Sequence, residues 1–421
     1  MRELPVNWSV HRLDEIADIR LGRQRSPKNH MGPQMRPYLR AANVGWAGLK
    51  LDDIKSMNFS DSEMGIYQLS PGDVLLNEAS GSPGEVGKPA LWSGELAECA
   101  FQNTLIRIRP HDVEPRYLLH YFRYVALTGG FSGHARGVGI HHLSRTRIAG
   151  WSTPIAPSDE QRRIVDILED HLSRLDVAIV LATSAARRLE ILQLSGLWRA
   201  THALSGSEEF TLSDIAEVRL GRQRSPKNHM GNRMRPYFRA ANVGWDELRL
   251  DDVKQMQFSE SESGTYELKS GDILLTEASG SASEVGKSAI YQGEVNDVCF
   301  QNTLLRVRCH ERVDPKFVQL YLLAEARLGK FVAESRGVAI IHLGRARLAS
   351  WPIFLPTGDL QVAAVKIAAE LGEATARTRE SAQRATIRAQ GLRRALLAAA
   401  FSGRLTGRSS DMEMVEEMAG V

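Results

Sequence analysis

The chain has 421 residues, of which 43% are hydrophobic and 24% are charged, a composition typical of a globular protein and unlike that of a disordered or fibrous one. At this length two or three domains are expected. The formal net charge is only +3, so net charge alone does not indicate nucleic-acid binding, and the distribution of charge has to decide.

Cysteine content and hydropathy limit where the protein acts. The three cysteines, Cys99, Cys299 and Cys309, form no CxxC pair, which argues against a disulfide framework and a zinc site and fits a reducing compartment. The N-terminal residues lack the apolar core of a signal peptide, and no stretch reaches the roughly 18 apolar residues that a membrane span needs. We therefore predict a cytoplasmic protein that binds no metal.

The first globular region, residues 1–157, opens with a basic segment. Residues 19–50 contain seven Lys or Arg and no Asp or Glu, and the run from Arg23 to His30 combines Arg, Gln, Lys and Asn. Arg, Gln and Asn can make bidentate contacts to guanine or adenine edges, while Lys and Arg bind phosphates. The segment therefore predicts a DNA-binding surface, and the alternative is a solvated basic face.

Short β-rich runs follow, such as residues 73–76 and 104–108, separated by Gly, Pro, Asn and Ser. This pattern predicts a mixed, sheet-containing globule. Polar residues near the ends of these runs form a second group of candidate base readers, for which a turn or strand-end role is the equal alternative. They are Asn77, Glu78, Ser80, Gln102 and Asn103.

Two motifs of this region resemble catalytic ones but miss their spacing. The run Gly81 to Lys88 has five residues, rather than four, before its Gly-Lys pair, and Pro89 replaces the Ser or Thr of a Walker loop. Asp73, Glu85 and Lys88 suggest the acid-acid-lysine cluster of metal-dependent nucleases, but two residues rather than one separate Glu from Lys. We predict a turn beside the binding surface and no nuclease site.

His141 and His142 are the remaining candidates for metal binding or base catalysis. No cysteine or carboxylate lies near them in the sequence to complete a ligand set, so a loop or packing role is predicted. The chain also lacks the Asn-Pro-Pro-aromatic or Asp-Pro-Pro-aromatic motif of an amino-methyltransferase. We predict no catalytic residue in this chain, so any methylation must be performed by another subunit.

A long helix is predicted after Pro157, with Ser158 as its cap and Gln161 at the third helical position. Apolar residues then follow at intervals of three and four, which defines a heptad seam and predicts packing along another long helix. The seam residues are Ile164, Leu168, Leu172, Leu175, Ile179, Ala182, Ala186 and Leu189.

The rest of the chain repeats the first part. Arg20–Gly32 returns without a change as Arg219–Gly231, and Arg36–Trp46 returns as Arg235–Trp245 with one substitution. A period near 200 residues is too long for a solenoid and indicates a duplicated domain with its connector. Because neighbouring positions differ while the basic segment does not, the comparison favours a function for that segment.

The candidate DNA-binding residues therefore come in two sets. In the first copy they are Arg20, Arg23, Gln24, Arg25, Ser26, Lys28, Asn29, His30, Arg36, Arg40, Asn43, Asn77, Glu78, Ser80, Lys88, Gln102 and Asn103. In the second copy they are Arg219, Arg222, Gln223, Arg224, Ser225, Lys227, Asn228, His229, Arg235, Arg239, Asn242, Thr276, Glu277, Ser279, Lys287, Gln301 and Asn302.

The second copy ends in another long helix, whose small seam residues predict close approach of the two helices. The seam residues are Ala382, Ala385, Ala389, Leu392, Leu396 and Ala399. The predicted order is a recognition domain at residues 1–157, a spacer helix at 158–204, a second recognition domain at 205–356, a second spacer helix at 357–405 and a disordered tail at 406–421. Some 40 helical residues make a rod of about 60 Å, which would set the distance between the two globules.

This layout resembles the specificity subunit of type I restriction-modification systems over essentially the whole chain. The resemblance rests on the Pro-rich lead into Glu160-Gln161 and on the closing Ala400-Phe401-Ser-Gly-Arg-Leu405, although the second copy has Leu360-Gln361 in place of Glu-Gln. It implies an α+β fold in which two mixed α/β target-recognition domains each read half of a split DNA site. Two long helices separate the domains and form an antiparallel coiled coil, with internal pseudo-twofold symmetry.

The resemblance also implies partners. These are double-stranded DNA, two modification subunits that methylate adenine with S-adenosylmethionine, and restriction subunits that use ATP and magnesium, while this chain binds no cofactor itself. Because both basic segments consist of the same residues, we predict matching, inverted half-sites about 10 base pairs apart. The alternatives are an adaptor of another DNA-modification or phage-defence enzyme, a self-sufficient nuclease, and a structural protein whose basic loops are only solvated.

Overall fold

The computed structural model describes residues 4–80, 85–131, 141–203, 206–225, 230–279, 281, 284–333 and 341–406. The chain forms two compact units, one from residues 1–183 with 383–421 and the other from residues 184–382. Each unit contains one copy of the repeat and a part of both long helices. All but the first residue of the predicted tail, 406–421, lies outside the described residues.

The first copy consists of short strands and helices. Its strands are β1 Ser9–Arg12, β2 Ala17–Leu21, β3 Met35–Leu39, β4 Val44–Gly45, β5 Gly48–Leu49, β6 Lys55–Asn58, β7 Val74–Asn77, β8 Ala79–Ser80, β9 Pro89–Leu91, β10 Ala100–Phe101, β11 Leu105–Pro110, β12 His141–His142 and β13 Ser152–Ile155. Its helices are α1 Leu13–Ile16, α2 Asp61–Tyr67, α3 Pro115–Leu127 and α4 Arg145–Ala149.

Two sheets organise this copy. An antiparallel sheet has the strand order β2–β11–β7–β9, and a mixed sheet has the order β10–β3–β6 with β10 parallel to β3. The central strands β7 and β11 coincide with the β-rich runs of the sequence, and their residues 74–77 and 105–108 are buried. Helix α3 packs on this sheet, and its Tyr117 and Phe122 are fully buried in the core.

The second copy repeats this arrangement, with the strand orders β15–β22–β18–β20 and β17–β16–β21. Its strands are β14 Glu208–Thr211, β15 Ala216–Leu220, β16 Met234–Phe238, β17 Lys254–Gln257, β18 Ile273–Thr276, β19 Ala278–Ser279, β20 Ser288–Ile290, β21 Cys299–Phe300, β22 Leu304–Cys309, β23 Ile341–His342 and β24 Pro352–Leu355. Its helices are α6 Leu212–Ile215, α7 Glu260–Tyr266, α8 Pro315–Arg327 and α9 Arg345–Ala349, and the long helices of the chain are α5 Ser158–His202 and α10 Gly358–Ala400.

The two long helices run antiparallel within each unit. In the first unit Glu160 accepts a hydrogen bond from Thr406, while Asp176, further along α5, pairs with the earlier Arg393 of α10. In the second unit Gln193 of α5 accepts a hydrogen bond from Arg379 of α10 at 3.4 Å. Further along α5, Gly196 lies against Leu371, which precedes Arg379 on α10. The helices therefore run in opposite directions in both units, which is the arrangement that the family resemblance implies.

The seam of the helices is close to the one predicted. Ile164, Leu168 and Leu172 are buried, and the later seam residues of α5, from Leu175 to Leu189, are half-buried. On α10, Leu396 is buried and Leu392 is half-buried. The prediction for Ala385 is wrong, because this residue is exposed and the neighbouring Thr386 is the half-buried one.

A buried glutamine ties the start of each long helix to its globule. Gln161 donates to the Ala156 carbonyl at 2.7 Å and accepts from the Glu114 backbone at 3.0 Å, so its side chain serves the start of α3 rather than a cap on Ser158. Gln361 makes the equivalent contacts with Pro356 and Asp314. Only the glutamine of the Glu-Gln pair makes these contacts, so the second copy keeps them with Leu360 in place of the glutamate.

Candidate nucleic-acid interface

The basic segment leaves the first sheet at the end of β2 and crosses over residues 101–103. The Arg23 backbone donates to Phe101 at 3.0 Å and accepts from Asn103 at 3.0 Å. A Cβ on Gly22 would overlap the carbonyl oxygen of Gln102, so only glycine fits at the crossing. The second copy repeats the crossing with Gly221 and Gln301.

Thr104 links the segments around Glu78 and Ala41 to the point where the basic segment crosses residues 101–103. Its carbonyl accepts from the Glu78 backbone at 2.9 Å, and its hydroxyl accepts from the Ala41 backbone at 3.0 Å. The Glu78 carbonyl in turn accepts from Leu143 at 2.7 Å. Four segments that are distant in sequence thus converge around the turn 102–104, and Thr303 organises the second copy in the same way.

Arg23 does not face solvent, which corrects its assignment as a DNA contact. Its guanidinium pairs with Glu63 at 2.5 Å, donates to the Asn58 carbonyl at 2.8 Å and lies 4.8 Å from the centre of the Phe59 ring. Only 12% of the side chain is exposed. Arg222 is held equally by Glu262, Gln257 and Phe258, so these arginines anchor the basic loop to α2 and α7.

The pKa of Glu63, the acid that pairs with Arg23, is shifted from its usual value. Burial alone would raise the pKa of Glu63, but hydrogen bonds from the Ser60 backbone and from Arg23 outweigh it and lower the pKa below its usual value. The pKa of Glu262 is lowered for the same reasons by Ser259 and Arg222. Both carboxylates stay ionised at neutral pH and keep the ion pairs intact.

Two more arginines of each set are paired with acids. Arg36 contacts Asp61 at 2.6 Å and Glu98 at 2.7 Å, and Arg40 contacts Asp53 at 2.5 Å. Arg235 pairs with Glu267, and Arg239 with Asp252. Their charges are compensated locally by acids of the same domain, which weakens the case for the predicted DNA contacts at these positions.

Several predicted polar readers are buried and structural. Asn43 is 2% exposed and donates to the Lys50 carbonyl, Asn77 is 3% exposed, and Lys88 is 7% exposed and pairs with Glu85. Their counterparts behave in the same way: Asn242, Thr276 and Lys287. For Asn77, burial on a strand favours the strand-end alternative, and burial of Asn43 and Lys88 leaves little of either side chain accessible to DNA.

The other predicted residues of the basic segment that the structure describes, together with Gln102 and Asn103, are at least partly accessible, and we call the surface that they form the recognition surface. Gln24, Arg25, Lys28 and His30 are exposed. Ser26, which precedes the helical turn Pro27–Asn29, and Asn29, which ends it, are half-buried, as are Gln102 and Asn103 across the crossing. In the second copy Gln223 and Arg224 are exposed and Ser225, Gln301 and Asn302 are half-buried. Lys227, Asn228 and His229, and the side chains of Ser80 and Ser279, lie outside the described residues.

Arg20 precedes this surface on β2, where it is exposed, and its counterpart Arg219 pairs with Glu217 at 2.5 Å. The two copies therefore differ at this position, because Asp18 stands where the second copy has Glu217.

A histidine that sequence reasoning placed in a loop belongs to the surface. Strand β12 pairs with β8, and His142 Nδ1 lies 3.2 Å from Glu78 Oε1. In the second copy His342 lies 3.1 Å from Glu277. The 64 residues between His142 and Glu78 hid this pair from sequence reasoning, although the presence of both residues in both copies was a usable signal.

Asp73 and Glu85, the acids of the nuclease-like motif, form hydrogen bonds within the fold. Asp73 is fully buried and accepts two hydrogen bonds from Arg109, at 2.7 and 2.8 Å, while Glu85 also accepts from Trp46 at 3.0 Å. Within the described ranges, no three His, Cys, Asp or Glu residues lie together as a metal site would require. Helices long and apolar enough to cross a bilayer are also absent from the described parts of the chain.

Comparison with known families decides the assignment. The family described as "Type I restriction modification DNA specificity domain" matches residues 5–178 and 205–386, one match for each copy. The chain belongs to this family. The sequence-based resemblance and the α+β fold with two long helices are thereby confirmed.

One specificity subunit is similar over nearly its whole length, and another is similar over less than half of its length. The type I restriction enzyme EcoKI specificity subunit of Escherichia coli K12 is 21% identical over 96% of this chain and 91% of its own. The putative MjaX specificity subunit of Methanocaldococcus jannaschii is 26% identical over 40% of each chain.

Solved structures share the fold. A chain from a study of complex assembly and conformational transition of the type I R-M system superposes with a TM-score of 0.76 at 18% identity, covering 96% of this chain and 100% of its own. The HsdS subunit of Thermoanaerobacter tengcongensis gives a TM-score of 0.56 at 20% identity, covering 96% and 98%.

Proposed function

We propose that this specificity chain reads two like DNA half-sites and directs partner subunits to them, without catalysis of its own. The observation that carries the proposal is the recognition surface, which presents the same side chains, Gln24 with Arg25 and Gln223 with Arg224, from the same backbone crossing in both copies. Equal readers select equal half-sites, and a pair related by a twofold axis selects them in inverted order.

The chemistry of the surface suits the major groove. Arg25 can donate two hydrogen bonds to guanine, Gln24 can pair with adenine, and Glu78 can accept from the amino group of cytosine. Lys28 and His30 lie beside them, where phosphates would pass. Once the arginines that pair with acids of their own domain are set aside, only a few candidate base-reading side chains are left. This is the usual division of contacts in protein–DNA complexes, where many phosphate contacts position the protein and few side chains specify the sequence.

Exposed apolar side chains on α5 support the proposed protein partners. Val177, Val180 and Leu181 are 58%, 62% and 64% exposed, and Ile191 and Leu192 are 64% and 60% exposed. Such side chains on a polar helix are typical of protein interfaces. We assign this face to two modification subunits, which carry S-adenosylmethionine, while ATP and magnesium belong to restriction subunits.

Reconstitution tests the proposal. The purified chain is mixed with the type I modification subunits of its source organism, and adenine methylation of a duplex library is followed with S-adenosylmethionine. We expect a stable complex that methylates one bipartite motif, and no methylation when either component is omitted. Failure to bind any methyltransferase would indicate an adaptor of another system, and magnesium-dependent cleavage by the chain alone would indicate a nuclease.

A further inference from the structure

An arginine-lined cavity lies in the first unit, built from residues outside the recognition surface. Its volume is about 310 Å³, and its walls are Trp46, Arg123, Leu127, Gln390, Arg393 and Arg394. Helix α3 contributes Arg123, and α10 contributes Arg393 and Arg394. Trp46 is held in place by a hydrogen bond from its Nε1 to Glu85 at 3.0 Å.

The positive charge of this cavity is only partly compensated. No acidic residue contributes to its walls, and within the described ranges no side chain hydrogen-bonds or ion-pairs with Arg123, whose Nε is buried without a partner. Arg393 pairs with Asp176, yet its own Nε is also buried without a partner. Burial first, and the neighbouring Arg393 second, lower the pKa of the Arg123 guanidinium, although the charges of Asp176 and Glu169 act in the opposite direction.

The second unit shows that the fold does not require this charge. Its corresponding cavity, of about 370 Å³, lies beside Trp245 and is lined by two bases, Lys316 and Arg327, and two acids, Asp246 and Glu373. Lys316 pairs with Asp246 at 2.6 Å, and Arg327 stacks 4.4 Å above the Trp245 ring. At the position of Arg123 the second copy has Leu323. A cavity lined by arginines without an acidic wall residue is thus found in the first unit and not at the corresponding place in the second.

We propose that this cavity binds a phosphate group, with Arg123, Arg393 and Arg394 as its ligands. Guanidinium groups match phosphate oxygens in pairs, and several converging guanidiniums suit a doubly charged tetrahedral anion better than a single carboxylate, which one arginine satisfies. The Trp46 side chain offers an apolar wall for whatever carries the phosphate. That carrier is either a small phosphate ester, such as a nucleotide, or the DNA backbone.

Thermal unfolding and equilibrium dialysis of the full chain test the proposal. Sodium phosphate is compared with sodium chloride at equal ionic strength, and radiolabelled phosphate measures affinity. We expect phosphate to raise the Tm of the parent, because a ligand that binds only the folded state stabilises it. Arg394→Gln, an exposed position, should bind phosphate about tenfold more weakly, and Arg123→Leu should not respond to phosphate.

Arg188→Gln, an exposed arginine on α5, is the matched control and should respond as the parent does. Unlabelled ATP that displaces the label better than phosphate identifies a small ester as the carrier, whereas displacement by a duplex without the target site identifies the DNA backbone. A parent Tm that phosphate does not raise, or an equal response in the parent, Arg394→Gln and Arg123→Leu, would overturn the proposal.

Discussion

Arginine serves two purposes in the recognition domains, and position along the basic segment separates them. Arg23 and Arg222 are enclosed by an acid, a backbone carbonyl and an aromatic ring. Arg25 and Arg224, two residues later, are exposed. Both pairs carry the same charge, so composition alone treats them alike, whereas the fold encloses the first pair and exposes the second.

Replacing the exposed pair should weaken DNA binding. In Arg25→Ala with Arg224→Ala, we expect weaker binding and a salt dependence flatter by about 0.9 in log-log slope for each lost phosphate contact. Where the arginine reads guanine, discrimination at that base should also fall by about 1–3 kcal/mol. Binding titrations across a salt series, with Arg188→Ala as the control, measure this; an unchanged slope and affinity would contradict the DNA-facing assignment.

Replacing the enclosed arginine should affect stability and its pH dependence. The lowered pKa of Glu63 means that its stabilising effect is fully present above the usual pKa of about 4.5 and is lost as pH falls through the lower folded value. Arg23→Ala should therefore cost about 2 kcal/mol at neutral pH and should lose less stability between pH 5 and pH 3 than the parent. Urea midpoints across this range measure it.

Arg25→Ala is the matched control, because it keeps the Glu63 ion pair and should keep the acid sensitivity of the parent. If Arg23→Ala instead shows the parent's midpoint at every pH, the ion pair does not hold the loop.

At the residue scale, the sequence could not separate exposed residues of the basic segment from residues that the fold encloses. The partner of Arg23 is Glu63, and the partner of His142 is Glu78, each brought close only by the tertiary fold. Such long-range pairings leave no local pattern in the sequence. Repetition was the signal that worked, because it marked both the loop and the histidine.

At the element scale, local patterns were sufficient for the long helices. The Ser158 start and the three-four spacing of apolar residues give the observed α5, because helical periodicity is a local property. The error at Ala385 arose because alanine is small enough to lie on either face, so its presence specifies no register. The small strands were predicted only as a mixed globule, since their pairing partners are distant in sequence.

The crossing at Gly22 is the element on which the recognition loop depends. Gly22→Ala should displace the loop, because the new Cβ would overlap the backbone of residues 101 and 102, and we expect at least tenfold weaker DNA binding. Gly65→Ala in α2 is the matched control, since nothing lies within 4 Å of that Cβ, and it should bind as the parent does. Equal binding by both variants would show that the crossing does not position the readers.

Lengthening both long helices together tests whether they set the gap between the two half-sites. Seven residues added to both α5 and α10, after Thr183 and after Ala382, should lengthen the tolerated gap by about 3 base pairs, since a heptad adds about 10 Å. An insertion in α5 alone breaks the antiparallel register and should lower stability. Methylation of substrates with graded gaps measures the change; an unchanged gap with the paired insertion would show that the helices are not the ruler.

At the scale of the whole molecule, the proposed target follows from the duplication of the recognition domain. The recognition surfaces share their exposed residues, Gln24 with Arg25 and Gln223 with Arg224, while the cavities beside Trp46 and Trp245 have diverged in charge. The two units have thus stayed alike where DNA reading is proposed and have changed elsewhere. A chain with like readers should select a bipartite target of matching halves.

Methylation-motif sequencing of genomic DNA modified by the reconstituted complex tests this claim most directly. We predict one bipartite motif whose two halves are the same sequence in inverted orientation, separated by a fixed gap of non-specific bases. Two unrelated half-sites would contradict the account, because identical readers would then be making different choices.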